Sequence, residues 1–196
     1  FDLDSLYPHL IMQYNLSPDT KVVDRQVEPL AYTVEDFLTR AHAGADTPTR
    51  AYMEKMFDKG YCVAANCVCF TKSKQGFLPE LMETMYEERK AFKNKMLEAK
   101  ATLKKLGEDA PADKVKQLKL DITKYHNFQL VRKIQLNSAF GACGNQYFRY
   151  YDPQIAEAIT YSGQLSIRWI ENALNKFLNK TLKTNRIDYI IASDTD

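Results

Sequence analysis

An α+β fold carrying a long antiparallel helical hairpin is the architecture this sequence predicts. Three observations point to it. Residues 82–106 and 115–139 each place apolar side chains at alternating spacings of three and four, the period of one helix face. Residues 61–70 and 187–192 form short apolar, β-branched runs of strand length. The two ends, 1–8 and 187–196, set carboxylates beside such apolar runs.

Taken in order, Phe1, Leu3 and Leu6 surround Asp2, and a short helix is expected over 9–14 with Pro8 in its first turn. Ser17-Pro18-Asp19 is a turn signal, and 21–32 reads as extended chain or loop. Thr33-Val34-Glu35-Asp36 resembles a capping box, with Asp in place of Glu, opening a helix to about Ala41. Gly44, Asp46 and Pro48 mark 43–50 as loop, so that about 15–60 reads as an irregular insertion. Residues 61–70 are a strand or hairpin arm closed by Lys72-Ser73-Lys74-Gln75-Gly76.

Pro79 begins the first long helix. Met82, Met85, Arg89, Phe92, Met96, Ala99, Leu103 and Leu106 share its face, and Gly107 stops it. Pro111 with Glu108, Asp109 and Asp113 opens the second, since acids favour the positive end of the helix dipole. Val115, Leu118, Ile122, Tyr125, Gln129, Arg132, Leu136 and Ala139 continue the same spacing. Each helix runs about 28 residues, roughly 42 Å, and the short connection makes them an antiparallel pair. Gly141-Ala142-Cys143-Gly144-Asn145 breaks the second helix. The aromatic run 147–151 offers rings for base stacking, but buried strand packing is the commoner use of such a run. Asp152-Pro153 caps a helix to about Leu182, with Ile155, Ile159, Ile167, Ile170, Leu174 and Phe177 as its packed face. Residues 184–186 then turn into a final strand.

Composition narrows the function. The chain has 196 residues, 45% hydrophobic and 27% charged, which excludes a disordered polymer. A net charge of +2 excludes any argument for nucleic acid from charge alone. No apolar run approaches the ~20 residues of a membrane span, and no signal peptide is visible. Cys62, Cys67, Cys69 and Cys143 lack the spacing of a zinc site and read as reduced, buried thiols of a cytosolic compartment.

The chemistry lies in the ends and in a fault of the seam. Alternation puts Asp194 and Asp196 on one side of an extended strand. An ionised carboxylate beside an apolar strand loses hydration, and a divalent cation offsets that loss. If the end strands are adjacent, Asp2 and Asp196 hold two Mg²⁺ ions about 4 Å apart, the clamp used in in-line phosphoryl transfer. Solvated turn acids are the bland alternative. The hairpin seam is apolar towards Gly107 but turns polar at Arg89, Gln129 and Arg132, which antiparallel pairing brings to one end. Arg89 and Lys93 share a face, as do Lys133, Asn137, Phe140 and Gly141. Scattered surface lysines are the competing explanation, and the preferred one for Lys100, Lys104, Lys105, Lys114, Lys116 and Lys119.

Three stretches carry a family resemblance. Asp2-Leu3-Asp4-Ser5-Leu6-Tyr7-Pro8 resembles the first polymerase motif of family B DNA polymerases. Lys133-Ile134-Gln135-Leu136-Asn137-Ser138-Ala139-Phe140-Gly141 resembles the second, and Asp194-Thr195-Asp196 the core of the third. They stand in the family's order and span the chain. The stretch 144–152 is most similar to the tailed-bacteriophage branch. The resemblance implies an antiparallel-sheet palm (1–78 and 141–196) with fingers inserted at 79–140, in a piece of a longer polymerase lying between the first and third motifs. It implies DNA-directed synthesis from dNTPs on primer–template DNA during viral replication, in the cytoplasm of an infected bacterial cell. A sliding clamp would bind through regions outside this chain, and a piece this short is expected to be inactive alone.

The resemblance also assigns roles. Asp2, Asp196 and the Leu3 carbonyl would ligate two Mg²⁺ ions, or Mn²⁺, with Asp194 beside them. Arg89, Lys93 and Lys133 would hold the β- and γ-phosphates, and Asn137 would add a polar contact. Backbone N–H groups of Ser5 and Leu6 would bind phosphate oxygens. Tyr7 would lie under the sugar and exclude a 2′-hydroxyl. Phe140 and Gly141 would face the nascent base pair, and the hairpin would swing inward on nucleotide binding. Three positions depart from the family pattern: His9 stands for Ser, Phe140 for Tyr, and Ala192-Ser193 for Tyr-Gly. Phe140 lacks the tyrosine hydroxyl, from which altered fidelity is expected. One rival is another nucleotidyl transferase, a reverse transcriptase or RNA polymerase palm, which lacks Ser-Leu-Tyr-Pro together with the Asn137-Ser138 helix. The other is a non-enzymatic helical hairpin acting as an interaction module, for which Asp2 and Asp196 would lie far apart.

Overall fold

The computed structural model describes residues 5–22, 48–106 and 110–193. The capping box expected at 33–36 and the stop expected at Gly107 lie outside them. Among the described residues are five helices and a two-stranded antiparallel sheet, so the protein is mostly helical.

Helix α1 (Leu6–Tyr14) starts earlier than the sequence predicts, with Pro8 in its first turn, where the missing N–H costs nothing. Asn15 ends it in the left-handed conformation, φ 56°, with its N–H turned back to Ile11 and Met12 carbonyls. Its side chain then donates to the Thr71 and Lys74 carbonyls (2.7 and 2.8 Å) and accepts the Gly76 N–H at 2.8 Å. One asparagine thus ends α1 and fastens it to the loop that launches the hairpin. The turn at Ser17-Pro18-Asp19 forms, with the Lys21 N–H bonded to the Ser17 carbonyl at 3.0 Å.

Pro48–Asp58 forms helix α2, which corrects the expected loop at 43–50 for its last three residues. Pro48 begins a helix rather than interrupting one, since its fixed φ suits a first turn. Met56 is buried against Val63 and Cys69, which gives the helix an inner face. Residues 61–70 are a hairpin: β1 (Tyr61–Val63) pairs antiparallel with β2 (Cys69–Thr71), Cys62 opposite Phe70. Residues 20–22 join as a short third edge, with Val22 N–H bonded to Cys69 O at 2.9 Å and Thr71 N–H to Thr20 O at 2.8 Å. Cys67, Cys69 and Cys143 are buried. Burial, with Cys69 close by, pushes the Cys67 thiol up to about 11, so it stays protonated and unreactive at neutral pH.

The hairpin is α3 (Phe77–Lys105) and α4 (Ala112–Cys143), 29 and 32 residues long. Cross-helix pairs fix its antiparallel register. Arg132 Nε meets Glu88 at 2.5 Å, and Phe92 packs on Phe128 with ring centroids 5.1 Å apart. The break expected over 141–145 falls at Gly144: α4 runs through Gly141 and stops only at Gly144, whose N–H bonds the Phe140 carbonyl at 3.3 Å. A lone exposed glycine costs a helix only about 1 kcal/mol relative to alanine, too little to end one that is packed elsewhere.

The run 147–151 is not a buried strand. It curls in successive turns, closed by Asp152 N–H to the Cys143 carbonyl at 3.2 Å, and Tyr147 is 88% exposed. Asp152 then caps α5 (Pro153–Leu182), accepting the Gln154 N–H at 2.9 Å, while its second oxygen binds Lys21 at 2.7 Å. Only the first half of α5 is deeply packed. Ile155 and Ile159 are buried, whereas Phe177, expected in the packed face, is 63% exposed.

The final strand is also corrected. Residues 187–193 pair with no strand among the described residues. Backbone groups without a neighbouring strand need other partners, and two asparagines of α5 supply them. Asn179 bonds both N–H and C=O of Ile187, and Asn175 accepts the Tyr189 N–H at 2.8 Å. The larger sheet expected from the ends is therefore not formed among the described residues.

The main core sits at the base of the hairpin. Ile11 of α1, Leu16, Phe70 of β2, Met82 of α3, Leu136 of α4, and Ile155 and Ile159 of α5 are all fully buried there. Each such side chain contributes about 2 kcal/mol of burial free energy. The hairpin is thereby rooted at one end and α1 packs against α3, α4 and α5. Gly76 sits in the tightest joint: a Cβ there would come 2.5 Å from Ser17 Cβ. Gly76→Ala should therefore destabilise by about 1–3 kcal/mol, read as a lower urea midpoint with unchanged slope.

Candidate functional site

The site grows from the N-terminus of α1. Ser5 caps that helix in a left-handed conformation, φ 58° and ψ 44°, and its hydroxyl does not bond back to the helix. The first N–H groups of any helix point out of its end and favour anions, and here Ser5, Leu6 and Tyr7 stand at that end. The Ser5 hydroxyl accepts a bond from Arg89 Nη1 at 3.0 Å. Arg89 is only 8% exposed, at the polar end of the hairpin seam. A guanidinium there keeps its charge and presents several donors in one plane.

Tyr7 is half-buried. Its ring lies 4.9 Å from that of Phe140, tilted by 48°. On its other side is Gly163 of α5, where a Cβ would fall 3.1 Å from Tyr7 Cε1 and 3.5 Å from Leu10 Cδ1. Gly163 thus leaves the room in which the Tyr7 ring sits. Gly141, one residue beyond Phe140, has nothing within 4 Å of where a Cβ would stand, so α4 presents an open surface beside that ring pair.

The remaining cations follow from the hairpin register. With Glu88 opposite Arg132 and Phe92 opposite Phe128, Lys133 falls level with Glu87. Lys133, Arg89 and Lys93 then occupy about 9 Å of hairpin length at 1.5 Å per residue. Lys93, Lys133 and Asn137 are exposed. None of the hydrogen bonds or ion pairs found among the described residues joins these three to α1. Arg132, the other seam cation, is held by Glu88 and by Gln135 Oε1 at 2.6 Å, and so is committed to the hairpin itself.

Direct contact therefore unites Ser5 with Arg89 and Tyr7 with Phe140. Asp2, Leu3, Asp194 and Asp196 lie outside the described residues. Among the described residues no group of three or more His, Cys, Asp or Glu side chains gathers in metal-binding proximity. Two positions that sequence reasoning did not single out matter to the site, Gly163 and Asn15, and His9, noted there only as a departure from the family pattern, contacts Ser5 and Tyr86 through its ring. Asn15 carried a legible signal, an asparagine directly after an apolar helical run. Gly163 carried none, because its value depends on which ring crosses it.

A helix N-terminus facing a buried arginine, with lysines on the same hairpin and an aromatic pair below, is chemistry for a multiply charged anion bearing a flat group. The match of DNA polymerase family B to residues 1–195 agrees with this, and the chain belongs to that family. It is 31% identical over 233 aligned residues to the DNA-directed DNA polymerase of Enterobacteria phage T4, covering 100% of this chain and 24% of that protein. It is 30% identical over 230 residues to the DNA-directed DNA polymerase of Escherichia phage RB69, with the same coverage. The DNA polymerase of Choristoneura biennis entomopoxvirus is 27% identical over 180 residues, covering 90% of this chain and 16% of that protein. The chain thus spans about a quarter of the length of the phage relatives it matches. No described helix is long and apolar enough to cross a membrane.

Proposed function

We propose that this chain is the nucleotide-binding and catalytic region of a DNA-directed DNA polymerase, adding dNTPs to a primer 3′-hydroxyl on a DNA template in viral replication. The carrying observation is the buried Arg89 bonded to Ser5 at the start of α1. It links the hairpin, the expected fingers, to the segment expected to carry Asp2. Residues 1–78 and 141–196 are then the palm. The phage and poxvirus relatives, named as DNA polymerases, support the same reading.

In this reading the triphosphate lies between the N-terminus of α1 and the hairpin. Ser5 and Leu6 N–H groups donate to phosphate oxygens in the helix-end field. Arg89, Lys93 and Lys133 neutralise the β- and γ-phosphates, and Asn137 adds a neutral donor. Such transfer is catalysed mainly by position and charge compensation, so side chains of this kind are adequate machinery. Two carboxylates, Asp2 and Asp196, with the Leu3 carbonyl form an all-oxygen donor set, which fits Mg²⁺ or Mn²⁺. The ions, when bound, would compensate charge on the attacking and leaving oxygens. Asp194 is assigned to their support. Tyr7 supports the sugar from below while Phe140 braces its ring, and Phe140 with Gly141 faces the new base pair. Primer–template DNA and dNTPs are the partners, with a sliding clamp engaged elsewhere in the longer protein.

Lys133→Ala in the full-length polymerase tests the phosphate role. It should raise KM for dNTP about tenfold, the size of one charged hydrogen bond, with primer–template affinity unchanged in a binding assay. Loss of template affinity alone would reject it. Tyr7→Ala should admit ribonucleotides, seen as a fall in the ratio of dNTP to rNTP incorporation efficiency. An unchanged ratio removes Tyr7 from sugar selection.

A further inference from the structure

We propose that His9 is a positioning residue for the nucleotide end of α1, holding the left-handed Ser5 against the hairpin. The inference rests on the nucleotide reading of that end. Ser5 at φ 58° adopts a conformation disfavoured for any residue with a Cβ, and its hydroxyl does not cap the helix. Side-chain contacts from Arg89 and His9 reach it. Arg89 Nη1 donates to Ser5 Oγ at 3.0 Å. His9 Nδ1 lies 2.8 Å from the Ser5 carbonyl oxygen. That oxygen can only accept, so Nδ1 carries the proton. The same oxygen takes the His9 backbone N–H at 3.1 Å.

The ring is aimed by a neighbour. It meets Tyr86 edge-on, centroids 4.7 Å apart at 80°. Tyr86 lies on α3 one turn before Arg89. Helix α3 therefore grips Ser5 twice, through Arg89 on the side chain and through Tyr86 and His9 on the carbonyl. The Ser5 carbonyl and the Leu6 N–H belong to one planar peptide unit. Fixing the carbonyl fixes the direction of that N–H, a group assigned to phosphate. His9 touches neither nucleotide nor metal in this scheme. It keeps the α1 end in register with the hairpin.

The test uses the full-length polymerase with three substitutions. His9→Phe keeps a ring against Tyr86 but removes the donor. His9→Asn restores an N–H bonded to the same Cγ position. Lys133→Ala reports on phosphate binding without touching α1. Amide hydrogen exchange at His9, whose N–H bonds the Ser5 carbonyl, and in the turn that follows it is measured without nucleotide, and KM and kcat for dNTP on a primed template. His9→Phe should speed that exchange and raise KM about fivefold, one neutral hydrogen bond, with kcat within about twofold, while His9→Asn returns both to wild-type values. Unchanged exchange in His9→Phe overturns the proposal. So does an equal loss in kcat with a lowered Tm and no rescue by Asn, which marks plain destabilisation. Faster exchange with normal KM, while Lys133→Ala still raises KM, also overturns it and leaves the nucleotide reading standing. Normal KM in both variants removes the nucleotide reading, and the positioning role with it.

Discussion

Asparagine in place of Asp2 or of Asp196 should reduce nucleotide incorporation by the full-length polymerase at least a thousandfold. The substitution keeps shape and removes one charge. If the carboxylates hold divalent ions where charge develops during transfer, losing one forfeits about 4 kcal/mol of transition-state stabilisation. At 1.36 kcal/mol per tenfold that is roughly three orders of magnitude. Folding should survive, because asparagine is nearly isosteric with the aspartate it replaces and the core is built of apolar side chains such as Ile11, Phe70, Met82, Leu136 and Ile159. Single-turnover incorporation, circular dichroism and divalent-ion titration would be measured together. Near-normal turnover, or normal ion binding with lost turnover, contradicts the assignment of these acids as metal ligands.

Arg89→Ala should have the second-largest effect, and a mixed one. The side chain is a buried cation bonded to Ser5 Oγ. Its removal takes away a charged donor assigned to the triphosphate, worth about 1.5–3 kcal/mol, hence a KM for dNTP raised about 10- to 100-fold. It also empties space in the seam between α1 and α3, so stability should fall. Arg89→Lys should recover stability better than nucleotide affinity, since a lysine fills the channel but cannot present the guanidinium fork. An Arg89→Ala enzyme with normal KM and only a lowered Tm would reduce Arg89 to a structural pin.

The hairpin was the most legible part of the sequence because its signal is periodic and long. Eight positions on each helix agree on one face, and a single Gly141 could not end a helix packed at Leu136 and Cys143. The cap at Asp152-Pro153 was legible because both residues act locally. What failed depends on neighbours. The run 147–151 is aromatic enough for a strand, but Gly144-Asn145 and the Asp152–Cys143 bond curl it into turns. Residues 187–193 carry strand composition, yet their backbone partners are Asn175 and Asn179. Pro48 could be read as loop or as helix start, and only the buried Met56 decides. At the site, the motif resemblance named Ser5, Tyr7, Arg89 and Phe140. The seam pattern independently placed Arg89 at the polar end. His9 stood out only as a departure from the motif, its contacts to Ser5 and Tyr86 unseen, and Gly163 was invisible because the ring it accommodates, Tyr7, is distant in sequence.

The central claim is that the acids at the two ends of this chain meet at the foot of the hairpin, under Arg89. The most direct measurement is a crystal structure of the full-length polymerase with primer–template, a non-hydrolysable dNTP and Mn²⁺, the ions located by anomalous scattering. The account predicts two ions about 4 Å apart, both touched by Asp2 and Asp196, with Arg89 and Lys133 on the triphosphate. Ions bound away from those carboxylates, or a triphosphate seated elsewhere while Arg89 stays on the Ser5 hydroxyl, would contradict it.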